Sequence, residues 1–194
     1  MSTILTLILV LGVAGAAWAG PLDAPGAGPA LVCSACHGPG GQSPSNTMPI
    51  LAGMPPWYFT KAVQDYAAGR RPSPEMEPYA KQVLQFGVNQ IAAWFAAQPR
   101  HPSAVKPDPA AVERGRAAAA QCVVCHGPAG KGDSARGIPD LTGQPPGYLR
   151  SQMLLFKADR RNPNDQALNA LKALFKTLPD EQIADLAAYY SSLK

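Results

Sequence analysis

Leu31–Gly41 reads LVCSACHGPGG, and Gln121–Gly132 reads QCVVCHGPAGKG. Each stretch carries the word Cys-x-x-Cys-His, with Cys33, Cys36 and His37 in the first copy and Cys122, Cys125 and His126 in the second. The two words use all four cysteines of the chain and two of its three histidines. One such word could be a redox dithiol. Two complete copies with no cysteine left over point to two covalently bound haem c groups. Cysteines three apart on a helical turn face the same way and can add to two vinyl groups along one porphyrin edge. The next residue then turns its imidazole toward the iron. A thioredoxin-like dithiol needs a strand-rich βαβ setting, which the chain does not offer. A four-cysteine zinc site would leave both adjacent histidines unexplained.

The similarity between the copies reaches far beyond the cysteines. MPILAGMPPWYFTKAVQDYAAGRR (Met48–Arg71) lies over IPDLTGQPPGYLRSQMLLFKADRR (Ile138–Arg161) without a gap, ninety residues apart. The shared frame is Pro-x-Leu-x-Gly-x-Pro-Pro-x-Tyr, a helical segment, then Arg-Arg. VNQIAAWFAAQ (Val88–Gln98) and DEQIADLAAYY (Asp180–Tyr190) correspond as well, each with helical spacing of apolar residues. Between the halves, QPRHPSAVKPDP (Gln98–Pro109) has four prolines and no helical period, the mark of a stiff linker. Its His101 reads as a solvated linker residue. The duplication therefore predicts a first domain over 20–98, a linker over 99–109 and a second domain over 110–194.

Helices are expected throughout and no strand pair stands out, so the fold class is all-α. Pro109–Gly127 starts with proline, is rich in alanine and reads as one helix. Its counterpart in the first half is interrupted by Pro25 and Pro29 and should be short. Further helices fit 58–68, 80–86, 148–159 and the two closing segments.

The chain opens with MSTILTLILVLGVAGAAWAG, whose Ala17-Trp18-Ala19 before Gly20 has the form of a signal-peptide cleavage site. The apolar run is short for a membrane span. No Lys or Arg precedes it, a departure from the usual signal pattern. The expectation is a signal peptide over 1–19, cleaved after Ala19, and a periplasmic mature chain without a transmembrane segment. Seventeen basic and thirteen acidic residues give a net charge of +4, with no run of like charges, which leaves nucleic-acid binding without support. The halves carry five basic and four acidic residues, and twelve and nine. Counts alone show no strongly dipolar docking face.

With its two attachment words, the HGPGG and HGPAGKG that follow, the Pro-x-Leu-x-Gly segments and the doubled Arg, the chain resembles the dihaem cytochrome c4 family. The resemblance spans essentially the whole mature chain. It implies two class I cytochrome c domains in tandem, with the haems facing one another across the domain interface. It also implies that a proline carbonyl supports each proximal imidazole, by position Pro49 for His37 and Pro139 for His126. Methionine is the family's usual sixth iron ligand, in the loop after Arg-Arg. Met76 sits there in the first half, while Met48 and Met54 flank the Pro-x-Leu-x-Gly segment and read as packing residues. The second half has no methionine in the corresponding stretch. Counting forward from Arg161 sets Gln166 opposite Met76; counting back from Ile183 sets Leu168 there. Met153, the one methionine of that half, aligns with Val63 inside a helix and reads as core.

The functional expectation is a carrier of single electrons between a donor complex or dehydrogenase and a terminal acceptor. Its partners would be periplasmic redox proteins or membrane oxidase and dehydrogenase complexes. Loss of the methionine at haem 2 predicts unequal potentials, the second lower. The alternative is a haem enzyme or small-ligand-binding protein at an open second iron, with Asn164, Gln166, Asn169, Lys172 and Lys176 as nearby polar residues. Each of these also reads as solvated surface.

Overall fold

In a computed structural model, which describes residues 22–162 and 167–194, the shared Pro-Pro step shows how repeated sequence becomes repeated structure. Pro55 and Pro145 hold the same backbone angles, φ −56° and ψ 134°, and the proline after each opens a helix. A proline at the first helical position has no N–H to lose and a φ already suited to the helix. The signal peptide expected over 1–19 lies outside the described residues, as do Asn164 and Gln166 and the side chains of Leu168 and Asn169.

The described residues form α-helices and no strand, apart from one isolated bridge between Asp133 and Ile138. The all-α expectation holds. In the first half run α1 (Ala27–His37), α2 (Pro56–Ala67), α3 (Met76–Gln85) and α4 (Val88–Ala96). The second half has α5 (Pro109–Ala118), α6 (Ala120–His126), α7 (Pro146–Lys157), α8 (Ala167–Thr177) and α9 (Asp180–Ser192). No helix among the described residues is long and apolar enough to cross a membrane.

Two helix expectations change. The single helix expected over Pro109–Gly127 is divided at Ala119, where Ala119 N bonds Arg116 O in a tighter turn and α6 starts again. The opening helix of the first half is instead continuous over 11 residues, with Pro29 inside its first turn. The N–H groups of a first turn have no acceptor within the helix, so proline there breaks no bond. The reading of 80–86 also had a counterpart that went unread, α8.

In each half the first helix crosses the last at a glycine. A Cβ on Gly26 would stand 2.3 Å from the Gln90 carbonyl oxygen, and one on Gly115 would stand 2.0 Å from that of Asp185. Only hydrogen fits between these backbones. Arg114 then clasps α9 through both oxygens of Asp185, at 2.9 and 2.8 Å. Buried apolar side chains gather in two clusters, one from Ala30 to Phe95 and the other from Ala119 to Tyr190.

The halves are tied directly. Gln144 exchanges two 2.9 Å hydrogen bonds with the backbone of Ile50, Tyr148 N donates to Asn46 O at 2.9 Å, and Asn162 N donates to Arg70 O at 2.7 Å. The proline-rich segment is held to both halves. His101, exposed as expected, pairs its backbone with the Gln42 amide, and Ser103 N donates to Gly143 O at 2.7 Å.

Candidate functional site

Cys33, Cys36 and His37 form the last turn of α1, which Gly38 ends with φ 76° and ψ 165°. Cys122, Cys125 and His126 form the last turn of α6, which Gly127 ends with φ 72° and ψ 166°. At positive φ a side chain would strain the turn, so glycine lets the chain leave directly after each histidine. His37 Nδ1 lies 2.8 Å from Pro49 O, and His126 Nδ1 lies 3.0 Å from Pro139 O. A carbonyl only accepts, so the ring proton sits on Nδ1 and the Nε2 lone pair is left for a metal. Burial lowers the pKa of both rings, against the opposing pull of the proline carbonyl. Each imidazole is thereby kept in the neutral, ligating form.

None of the four cysteines is in a disulfide. Burial pushes the Cys33 and Cys122 thiols up, the reverse of what an attacking thiolate of a redox dithiol requires. Among the described residues no cluster of His, Cys, Asp and Glu gathers to hold a metal ion, so the four-cysteine zinc arrangement does not form.

Beside the first word opens a cavity of about 270 Å³. Cys33, Cys36, His37 and Pro49 line it, together with Met76, Met54 and Arg71, and most of the remaining wall is apolar. This suits a flat apolar ring with a charged edge, bonded through thiols and a ring nitrogen. Met48 is not in the wall. Met54 turns back onto Leu51, in the same loop as the carbonyl that holds His37, whereas Met76 starts α3 on a separate element.

In the second half Met153 is buried with Tyr148, Leu149, Phe156 and Phe175, in agreement with its reading as a core residue. Among the described side chains of α8 the buried ones, Lys172 and Phe175, follow Ala80 and Val83 of α3 by ninety-two residues, the register that sets Leu168 against Met76. Lys172 departs from its surface reading. It is buried, and its ammonium donates to Asp159 Oδ1 at 2.7 Å and to Asn162 Oδ1. The amine is thus held by two oxygens of the segment that follows α7. Lys176 is exposed, 4.0 Å from the same carboxylate.

Between the halves lies a group that the repeat made visible without assigning it a role. Arg71 donates through Nη2 to Tyr148 OH at 2.5 Å and through Nε to Gln152 Oε1 at 2.8 Å. Arg161 donates through Nη2 to Tyr58 OH at 3.5 Å and through Nη1 to the same Gln152 oxygen at 3.0 Å. Arg71 is 1% exposed and Arg161 8%, and among the described residues neither meets a carboxylate. Arg161 Nε has no acceptor there. Two buried cations without an anion are costly, and the carboxylates on a haem's edge are groups of the charge they lack. Burial alone would raise the Tyr58 phenol, but the Arg71 and Arg161 guanidiniums reverse this and lower it. The repeated Pro-Pro-x-Tyr and Arg-Arg were the signal for Tyr58, Tyr148, Arg71 and Arg161. Gln152 had none, because the first half has Ala62 in its place.

Known proteins carry the same organisation. The cytochrome c family model matches residues 112–194. Cytochrome c4 of Azotobacter vinelandii is 32% identical over 98% of this chain and 98% of its own. A thiosulfate dehydrogenase electron acceptor of Stutzerimonas stutzeri (strain A1501) is 30% identical over 87% of this chain and 82% of its own. The crystal structure of reduced recombinant cytochrome c4 from Pseudomonas stutzeri superposes with a TM-score of 0.77 at 29% identity, covering 86% of this chain and 96% of the other.

Proposed function

The chain belongs to the cytochrome c4 family, a dihaem electron-transfer cytochrome with covalently bound haem c, and on that premise we propose how its own residues divide the work. Cys33 and Cys36 attach haem 1, with His37 as proximal ligand and Met76 as sixth ligand. Cys122 and Cys125 attach haem 2, with His126 as proximal ligand and no methionine opposite. Residues 20–98 and 110–194 act as two domains joined by the 99–109 linker, and the chain works in the periplasm after removal of residues 1–19.

When bound, each haem supplies a one-electron exchange between ferric and ferrous iron. The chain's part is to hold and tune. The Pro49 and Pro139 carbonyls fix each imidazole through Nδ1 and make it a better donor. The apolar wall of the first cavity keeps water away, and Arg71 and Arg161 offer positive charge for the carboxylate edges. No acid–base side chain is needed.

The observation that carries this reading is the matched pair of helix ends, each with two cysteines, a histidine, a left-handed glycine and a proline carbonyl on the ring. The donor we propose is a dehydrogenase of the kind named in the thiosulfate dehydrogenase electron acceptor of Stutzerimonas stutzeri, and the acceptor an oxidase. The test is haem content by pyridine haemochrome, followed by anaerobic redox titration of the whole protein. Two haems per chain and two unequal one-electron steps, the second haem lower, are expected. One haem per chain, or two equal potentials, would overturn the assignment.

A second reading has its own observation. Leu168 stands in register with Met76 by sequence, and Lys172 is held by Asp159, so among the described side chains of α8 none is a strong ligand for haem 2. We propose that this iron binds small ligands such as carbon monoxide or nitric oxide in its reduced form.

A further inference from the structure

In the group formed by Arg71, Arg161, Tyr58, Tyr148 and Gln152, Gln152 is the one member that the duplication does not repeat. A single neutral oxygen, Gln152 Oε1, accepts from a guanidinium of each half, Arg71 Nε at 2.8 Å and Arg161 Nη1 at 3.0 Å. Ala62 at the matching place in α2 can accept nothing. An amide satisfies donors without cancelling their charge, so both positive charges persist in a region where, among the described residues, no carboxylate faces them.

The two cations are also held unequally. Arg71 has Tyr148 OH at 2.5 Å, Gln152 at 2.8 Å and the Tyr66 ring 4.6 Å from its central carbon, and it lines the first cavity. Arg161 has only the long 3.5 Å contact to Tyr58 OH, the Gln152 oxygen and the Phe156 ring, with Nε unpartnered among the described residues. A fixed positive charge near a haem favours the ferrous form, which carries one positive charge fewer. Whatever fixes Arg71 and Arg161 therefore bears on both potentials, and on each by a different amount.

We propose that Gln152 is a positioning residue for electron transfer: it holds one buried guanidinium from each half at the junction and so contributes to the separation between the two haem potentials. The proposal rests on the dihaem reading above. Its test uses the haem-loaded full chain and two variants, with anaerobic redox titration and haem content as readouts. Gln152→Ala gives the second half the residue already present in the first, and it should change the separation between the two midpoints while two haems per chain remain. Gln152→Glu keeps the shape and supplies the missing anion, and it should lower both midpoints. Q152E also decides the matter if Q152A does not accumulate with two haems. A Q152A separation equal to that of the wild type, including a parallel shift of both midpoints, overturns the proposal, as does Q152E with unchanged midpoints. A wild-type protein without two one-electron steps would instead overturn the dihaem reading itself, so the two failures are distinguishable.

Discussion

Arg71 reaches across the junction to the hydroxyl of Tyr148 at 2.5 Å, and Arg161 returns the gesture to Tyr58 at 3.5 Å. The duplicated Tyr and Arg thus pair crosswise, each half completing the other, but with unequal grip. Tyr148→Phe strands a donor on a guanidinium that is 1% exposed, and it should cost about 1–3 kcal/mol. Tyr58→Phe removes a contact at the limit of hydrogen-bond distance and should cost clearly less. Chemical denaturation of the two variants measures the difference, and equal losses would contradict the unequal grip.

Met76 and Met54 both line the first cavity, yet only Met76 stands on a helix separate from the loop that holds His37. Carbon monoxide binding to the reduced protein separates their roles. The wild type should take up about one equivalent per chain, at haem 2, if the Met76 thioether caps haem 1 as proposed. Met76→Ala should raise this to about two, and Met54→Ala should leave it at about one. Near-zero uptake by the wild type would mean that haem 2 is firmly capped as well.

Much of the architecture was legible because its signals are local. The Cys-x-x-Cys-His words and the apolar periods of the helices after each Pro-Pro act within a few turns of chain, and the repeat at ninety residues shows each of them twice. The junction was not legible, since Arg71 meets Tyr148 and Gln152 only after two helices from different halves come together. Lys172 was misread for a similar reason. Whether a lysine is solvated depends on where Asp159 stands, and Asp159 holds its place through a left-handed backbone conformation at φ 56°. The split at Ala119 was hidden by alanine-rich sequence, which favours helix on both sides and does not record a change of direction.

The helix crossings predict opposite effects for chemically identical substitutions. Gly115→Ala gains helix propensity of about 1 kcal/mol, but its methyl would lie 2.0 Å from a backbone carbonyl oxygen. Backbone on both sides cannot yield cheaply, so a net loss of about 1–3 kcal/mol is expected. Gly28→Ala, in the first turn of α1, meets nothing within 4 Å and should stabilise by up to about 1 kcal/mol. Thermal melts of the two holoproteins should move in opposite directions; a shared direction would mean that the crossing is looser than described.

The Asp159–Lys172 pair predicts a pH dependence. The hydrogen bond from Lys172, then its charge, holds the Asp159 carboxyl below the usual carboxylate range, with Lys176 adding to the pull. A carboxyl lowered in the folded state contributes stability that is fully present above its unfolded pKa, about 3.9, and is lost as the pH falls through the lowered value. Asp159→Asn is the clean probe, because asparagine tolerates the left-handed conformation that Asp159 adopts while removing the charge. The wild type should melt higher than the variant from neutral pH down to about 5, and the gap should close on further acidification as both proteins come to present a neutral group to Lys172. A gap that persists undiminished in acid would mean that the carboxylate's charge is not what holds Lys172 in place.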